Sequence, residues 1–283
     1  MEFGKFRLPR AFECEVAVKR GNTWRELENY KAIVGENGQV YDIVSDRYQL
    51  VLHEEIVNAV NKILEEYEIK PIKVEAEVSL DGSKLFYNVI LKEVSVGNDP
   101  CHLGFRITNS YDRTMGIHIN GYGMRIACSN QMVFANRILG QYAKHLKPIA
   151  ELSFKILKEK IRAVIGGLTK IETVLALATK KTVSPYELIE FIEKEFDVSN
   201  KLKFKIYAKI KQYTGLDLLE YKRKMEEMKK KVKVFVDGQE VTLVNVYSAY
   251  QGLTDALTHH TKKLDPTRVH ELQKKASKLL LRR

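Results

Sequence analysis

Apolar residues change their spacing partway along the chain, from runs and alternation that suit strands to the three- and four-residue steps that suit helices. Between residues 13 and 34, short apolar runs around Trp24 predict strands joined by irregular turns. Gly35-Glu-Asn-Gly38 is a turn signal, and a short strand is expected over residues 40–44. Ile56, Val57, Val60, Ile63 and Leu64 recur at helical steps, which predicts a helix over 53–67 with one buried stripe. Pro71, which has no backbone N–H to donate, blocks its continuation. Val74, Ala76, Val78 and Leu80 then alternate along a strand. Asp81-Gly82-Ser83 supplies a tight turn, and residues 85–94 return beside it. Further strands follow over 103–109 and 115–128. Neighbours joined so closely pair antiparallel, so a meander is expected.

Beyond residue 135 the helical period takes over. It predicts a helix over 138–165, kinked or divided at Pro148, and another over 168–179. Ser184-Pro-Tyr-Glu187 reads as a capping box. The serine accepts an orphan N–H, the proline fits the first helical position, and the glutamate reaches back to the cap. That helix is expected to run to about Phe196, followed by helices over 199–213, 216–231, 244–260 and 271–283. A small hairpin around Asp237-Gly238 interrupts them. The fold class is therefore α+β: a central antiparallel β-meander with a packed amphipathic helix, then a helix-rich basic C-terminal region. Residues 1–135 form the mixed α/β part and 136–283 the helical part. With no low-complexity linker between them, the two are expected to pack as one unit.

Charge sharpens this division. Residues 1–135 carry 16 basic and 19 acidic side chains, whereas 136–283 carry 31 and 17, so the whole excess of +11 lies in the second part. Such asymmetry favours a polyanionic partner, because each phosphate neutralised releases condensed counterions. A solvated Lys-rich surface is the alternative, and abundant Lys and Glu with little Gln points to a thermophilic source. The most apolar-looking stretch, 161–179, is interrupted by Arg162, Lys170 and Glu172, so no membrane span is expected. Cys14, Cys101 and Cys128 are too sparse for a disulfide framework or a metal-ligand spacing. Together with an N-terminus lacking an apolar leader, they lead to an expected cytoplasmic location.

Candidate contacts cluster in two places. Arg106, Arg113 and Arg125 lie near Tyr111 and Tyr122, a mixture suited to bidentate phosphate contact and base stacking. Strand alternation puts Arg106 and Thr108 on the face opposite Phe105 and Ile107, so the arginine is expected to point away from the core. Ion pairing of Arg106, Asp112 and Arg113 at a strand turn is the other reading. Lys144, Lys147, Lys155, Lys158 and Arg162 fall along one side of the helix expected there, as a phosphate-tracking stripe or a solvated face. The lysines of 201–211 present the same choice.

Four segments carry a family resemblance: Tyr41-Asp-Ile-Val-Ser-Asp-Arg-Tyr48, Phe105-Arg-Ile-Thr-Asn-Ser-Tyr-Asp-Arg-Thr114, Tyr122-Gly-Met-Arg-Ile-Ala-Cys-Ser-Asn130 and Val244-Asn-Val-Tyr-Ser-Ala-Tyr-Gln-Gly-Leu-Thr-Asp-Ala-Leu-Thr-His259. In this order, spanning most of 40–260, they resemble an uncharacterised phage- and plasmid-like protein family of mobile genetic elements. The resemblance implies a biological context and no activity. At the level of organisation, a meander followed by a long helix is similar to single-strand annealing proteins of the RecT and Rad types. That resemblance implies a strand held by its backbone in a sheet–helix groove, and assembly as a homo-oligomeric ring or filament.

The expected function is binding of nucleic acid, single-stranded by preference, in replication or recombination, without a cofactor. Two alternatives stand beside it. A metal-dependent nuclease could use Asp42, Asp46, Asp112 or the pair Asp255 and His259, four residues apart on one helix face, with His118 as a further ligand. A protein-interaction module would use its basic surface only for solvation. Neither a phosphate-binding Gly-Lys-Ser/Thr loop nor a nucleophile elbow is present, and no lysine precedes Asp81-Gly82 as nucleotidyl transfer requires.

Overall fold

The computed structural model describes residues 7–127, 129–134, 140–143, 150–230, 243–261 and 264–281. The fold is α+β, with an antiparallel meander. The chain forms two compact units that interleave in sequence. The first takes Met1–Lys92, Leu103–Tyr122 and Leu139–Leu168. The second takes Glu93–His102, Gly123–Ile138 and Thr169–Arg283.

The first unit opens with β1 (Ala11–Arg20), β2 (Thr23–Gly35) and β3 (Val40–Ser45), an antiparallel sheet in that order. The expected short strands and irregular turns are therefore a single long hairpin, turned at Gly21 with φ +63°. Its register shifts between Glu15 and Ala17, where the two strands differ in length. Only the base of this sheet is buried, through Ala11, Ile33 and Val44 against Tyr48 and Tyr111.

Helix α1 (His53–Glu66) follows the predicted stripe, with Ile56, Val57, Val60, Ile63 and Leu64 buried. Its orphan N-terminal donors find two partners: the Glu55 carboxylate accepts from Leu52 N at 2.6 Å, and Tyr111 Oη accepts from His53 N at 2.9 Å. The predicted meander is β4 (Lys73–Val78), β5 (Lys84–Val96), β6 (Asp99–Ser110) and β7 (Ile117–Arg125), neighbours in that order. Asp81 fixes the first turn, accepting from Ser83 N at 3.0 Å and from the Ser79 and Ser83 hydroxyls.

Two expectations fail in this unit. Residues 140–143, expected to be helical, form β9 (Gly140–Ala143), paired antiparallel with β7. The backbone groups along β7 need partners, and the ladder outweighs the helical spacing of a short segment. Among the described residues the next helix is α2 (Ala150–Gly166), whose Leu157, Ile161 and Val164 join α1 over Leu85, Tyr87, Val89, Phe105 and Ile107. Each such side chain stabilises by ~1.5–3 kcal/mol when fully buried. The second failure is Arg106. Phe105, Arg106, Ile107 and Thr108 are all buried, so β6 is covered on both faces and the arginine does not reach solvent.

In the second unit, β8 (Gln131–Val133) runs beside the end of β7. Helices α3 (Leu168–Ala178), α4 (Pro185–Glu195), α5 (Asn200–Thr214), α6 (Leu218–Lys230), α7 (Val246–His259) and α8 (Pro266–Ala276) follow. The capping box forms as expected: Ser184 Oγ accepts from Glu187 N at 3.2 Å and Glu187 accepts from Ser184 N at 3.0 Å. Ser199 caps α5, which ends at Gly215 with φ +75°. A two-residue ladder, β10 (Thr182–Val183) with β11 (Val244–Asn245), sets α7 to start at residue 246. There the Asn245 carboxamide accepts from Ser248 N at 3.0 Å. Pro266 starts α8 earlier than expected, and a 3-10 turn over Ser277–Leu281 ends it. The hairpin expected around Asp237-Gly238 lies outside the described residues. Among the described residues no helix is long and apolar enough to cross a membrane.

Candidate nucleic-acid interface

Helices α5 and α7 approach each other closely because Gly252 lets them. A methyl on its Cα would stand 2.6 Å from Ile210 Cα and 2.8 Å from Ile210 N, inside any real contact. One turn beyond this crossing the two helices exchange polar groups. Tyr213 Oη donates to Asp255 Oδ2 at 2.9 Å, and Lys209 Nζ lies 3.1 Å from Asp255 Oδ1. Asp255 is buried; Tyr213 hydrogen-bonds Oδ2, while the Lys209 ammonium sets its charge beside Oδ1, which accepts no hydrogen bond among the described residues.

The end of β7 and the turn after it add two more groups to the same hydroxyl. Arg125 Nη1 and Asn130 Nδ2 donate to Tyr213 Oη at 3.4 and 3.3 Å, and the Arg125 guanidinium lies 5.5 Å from the Tyr213 ring centroid. Arg125 also pairs with Asp99 at 2.5 Å, and Asp99 accepts from Tyr247 Oη at 3.3 Å. Asn130 Oδ1 lies 3.1 Å from His259 Nε2; as an acceptor it requires the proton to sit on that nitrogen. Tyr213 thus uses one donor and two lone pairs to join β7, the following turn, α5 and α7. Two of the segments singled out in the sequence, 122–130 and 244–259, meet here.

Helix α5 also shows a cationic face. Lys201, Phe204, Lys205, Ala208 and Gln212 are exposed at helical spacing, and Phe204 keeps 55% of its surface in solvent. The helix sorts its lysines. Lys203 pairs with Glu193, Lys209 with Asp255 and Lys211 with Asp217, whereas Lys201 and Lys205 have no carboxylate partner among the described residues. The local potential registers on His260 at the end of α7. Partial burial, then Lys205 and Lys209, hold its imidazole below the ordinary pKa of 6.5.

The other sequence candidates are scattered. Arg106 is fully buried: its Nε donates to Asn88 Oδ1 at 2.6 Å, and its guanidinium lies 4.8 Å from the Tyr122 ring and 5.8 Å from Phe86. Burial pulls its pKa down against the charges of Tyr122, Glu77 and Glu75. Tyr122 and Tyr111 are likewise fully buried, and Tyr111 stacks on His53 at 3.8 Å. These three cannot offer a cation or a ring to a polymer at the surface. Arg113 is exposed but grips Asp42 with two nitrogens, which raises its pKa. On α2, Lys155 and Arg162 are exposed, and Lys158 pairs with Glu66. Lys144 and Lys147 lie outside the described residues. Asp255 and His259 sit together on α7 as the spacing implied, but each is engaged by α5 or Asn130. Among the described residues no group of three or more His, Cys, Asp or Glu could hold a metal ion.

Sequence reasoning missed Tyr213, Asn130 and Asp99 as partners. The available signal was the four-residue step from Lys209 to Tyr213, which puts both on one helix face.

A family model described as "Domain of unknown function (DUF932)" matches residues 40–280, most of the chain and every residue of this network. The chain belongs to that family. No curated protein and no solved structure matches it. The DUF932 match takes in α5 and α7 and begins beyond the β1–β2 hairpin.

Proposed function

We propose that this DUF932 protein binds single-stranded nucleic acid, with α5 as its contact face, in replication or recombination of a mobile element. The observation that carries the reading is the sorting of lysines on α5. Three are neutralised by carboxylates, while Lys201 and Lys205 have no carboxylate partner among the described residues and share an exposed face that Phe204 borders. Cations at helical spacing suit phosphates along a flexible strand, and an aromatic face beside them suits an unstacked base. The charge excess after residue 135 supports the same partner. The four segments that resemble phage- and plasmid-like proteins support the mobile-element setting. Annealing by several copies along one strand is part of the proposal.

Fluorescence anisotropy with labelled single- and double-stranded DNA and RNA at two salt concentrations tests it. Single strands are expected to bind more tightly than duplexes. Lys201→Gln with Lys205→Gln should lower the log–log salt slope by about 1.4, at ~0.7 per phosphate contact. Phe204→Ala should weaken binding at every salt level. Absence of binding, or a double variant with an unchanged slope, would refute the assignment to α5.

A further inference from the structure

The β1–β2 hairpin is unusual for how little it buries. Residues 17–30 are all exposed, on both faces of the ribbon. An isolated two-stranded ribbon is at best marginally stable, so this length of exposed pairing does nothing for the core. Its tip is concentrated chemistry. The register sets Lys19 opposite Trp24, Val18 opposite Arg25 and Arg20 opposite Thr23 around the Gly21 turn. Trp24 keeps 69% of its surface in solvent, and Lys19 Nζ lies 5.9 Å from the indole centroid.

Three cations and one indole thus fall within seven residues that contain no acid, and Lys19, Arg20 and Arg25 have no carboxylate partner among the described residues. The acids of the ribbon, Glu13, Glu15, Glu26 and Glu28, lie nearer its base. Charge complementarity asks for a polyanion, and the bare indole asks for a flat apolar face. Both are features of a nucleic-acid strand with unstacked bases. The tip of a second copy carries the same cations and would repel this one. The hairpin precedes the region matched by the DUF932 model.

We propose that the hairpin tip is a second nucleic-acid contact, in which Trp24 stacks on a base of a single strand while Lys19, Arg20 and Arg25 hold neighbouring phosphates. This rests on the nucleic-acid reading above but uses residues remote in sequence from α5.

Trp24 is the only tryptophan, so indole emission reports on the tip alone. The full chain is titrated with oligothymidylate while indole emission and the anisotropy of a labelled copy of the same oligonucleotide are both followed. Emission should fall with the same midpoint as the anisotropy rises. Trp24→Ala should weaken binding about ten-fold, within the range for loss of one stacked base, and Trp24→Phe should retain most of the affinity. Because the side chain is exposed, the melting temperature of Trp24→Ala should match the parent, which separates lost contact from lost folding. Arg20→Gln with Arg25→Gln should lower the salt slope by about 1.4. Saturable anisotropy with unchanged indole emission would overturn the tip contact and leave the α5 reading standing. Absence of any anisotropy change would overturn both. Emission that shifts with protein concentration alone would overturn the proposal in favour of self-association through the tip.

Discussion

Gly252→Ala is the most direct test of how α5 and α7 hold the network together. The added methyl would lie 2.6 Å from Ile210 Cα, 2.8 Å from Ile210 N and 3.0 Å from Ile210 Cγ1. Two of these three atoms are backbone, so a rotamer change cannot relieve the contact. Restoring an ordinary separation moves the helices apart by about 1 Å, the kind of overpacking that costs ~1–3 kcal/mol. The same displacement, carried one turn, stretches the 2.9 Å bond from Tyr213 to Asp255 beyond hydrogen-bond range and removes about 1 kcal/mol more. Against this, alanine gains ~0.8–1 kcal/mol of helix propensity over glycine. The net is a loss of about 2 kcal/mol, or a fall in Tm of about 4 °C for a chain of this size. Calorimetry and circular dichroism of the variant should show it, with weakened oligonucleotide binding alongside. Gly166→Ala is the control, since a methyl at Gly166 meets nothing within 4 Å. A Gly252→Ala protein that melts at or above the parent temperature, as the control should, would refute the close-crossing argument.

Tyr213→Phe removes the hydroxyl shared by Arg125, Asn130 and Asp255; a loss of ~1–3 kcal/mol is expected, read as a lower denaturant midpoint with unchanged m-value. Glu193 should give the protein acid sensitivity. Burial raises its pKa, but Lys203, Lys222 and Tyr207 overcome this and bring the carboxyl from 4.5 to about 2. Its stabilisation is therefore complete above the unfolded value and lost as pH falls from 4.5 towards 2, so melting curves of the parent and Glu193→Gln should converge across that window. The site is partly exposed, and a difference of only about 1 kcal/mol is expected at pH 7. A bound polyanion should raise the depressed pKa of His260, so affinity should increase as pH drops below 6.5; anisotropy at pH 7.5 and 5.5 should show His260→Gln with the weaker dependence.

Local rules carried much of the fold. The stripe Ile56 to Leu64, the Ser184 capping box and the Asp81-Gly82 turn are each complete within a few residues, so the sequence contains both partners of every interaction. The network at Tyr213 is different: Asp255 lies 42 residues away and Asn130 83, and no periodicity encodes which helix faces will cross. Arg106 failed for another reason. Alternation says which residues share a face of β6 but not that both faces are covered. Gly252 was visible only as one position in a helical segment, and its role emerges from how near Ile210 comes.

Arg106 also constrains how the strands of the meander can be matched. Sliding β6 by one residue against its neighbours would turn every side chain over and drive a guanidinium among Leu85, Val89 and the helices α1 and α2, while Ile107 took its place between the rings. The alternation of Leu103, Phe105 and Ile107 with Gly104 and Thr108 already opposes such a slip. A buried guanidinium with one suitable niche adds to that penalty, so this arginine reinforces the alignment that the apolar face sets.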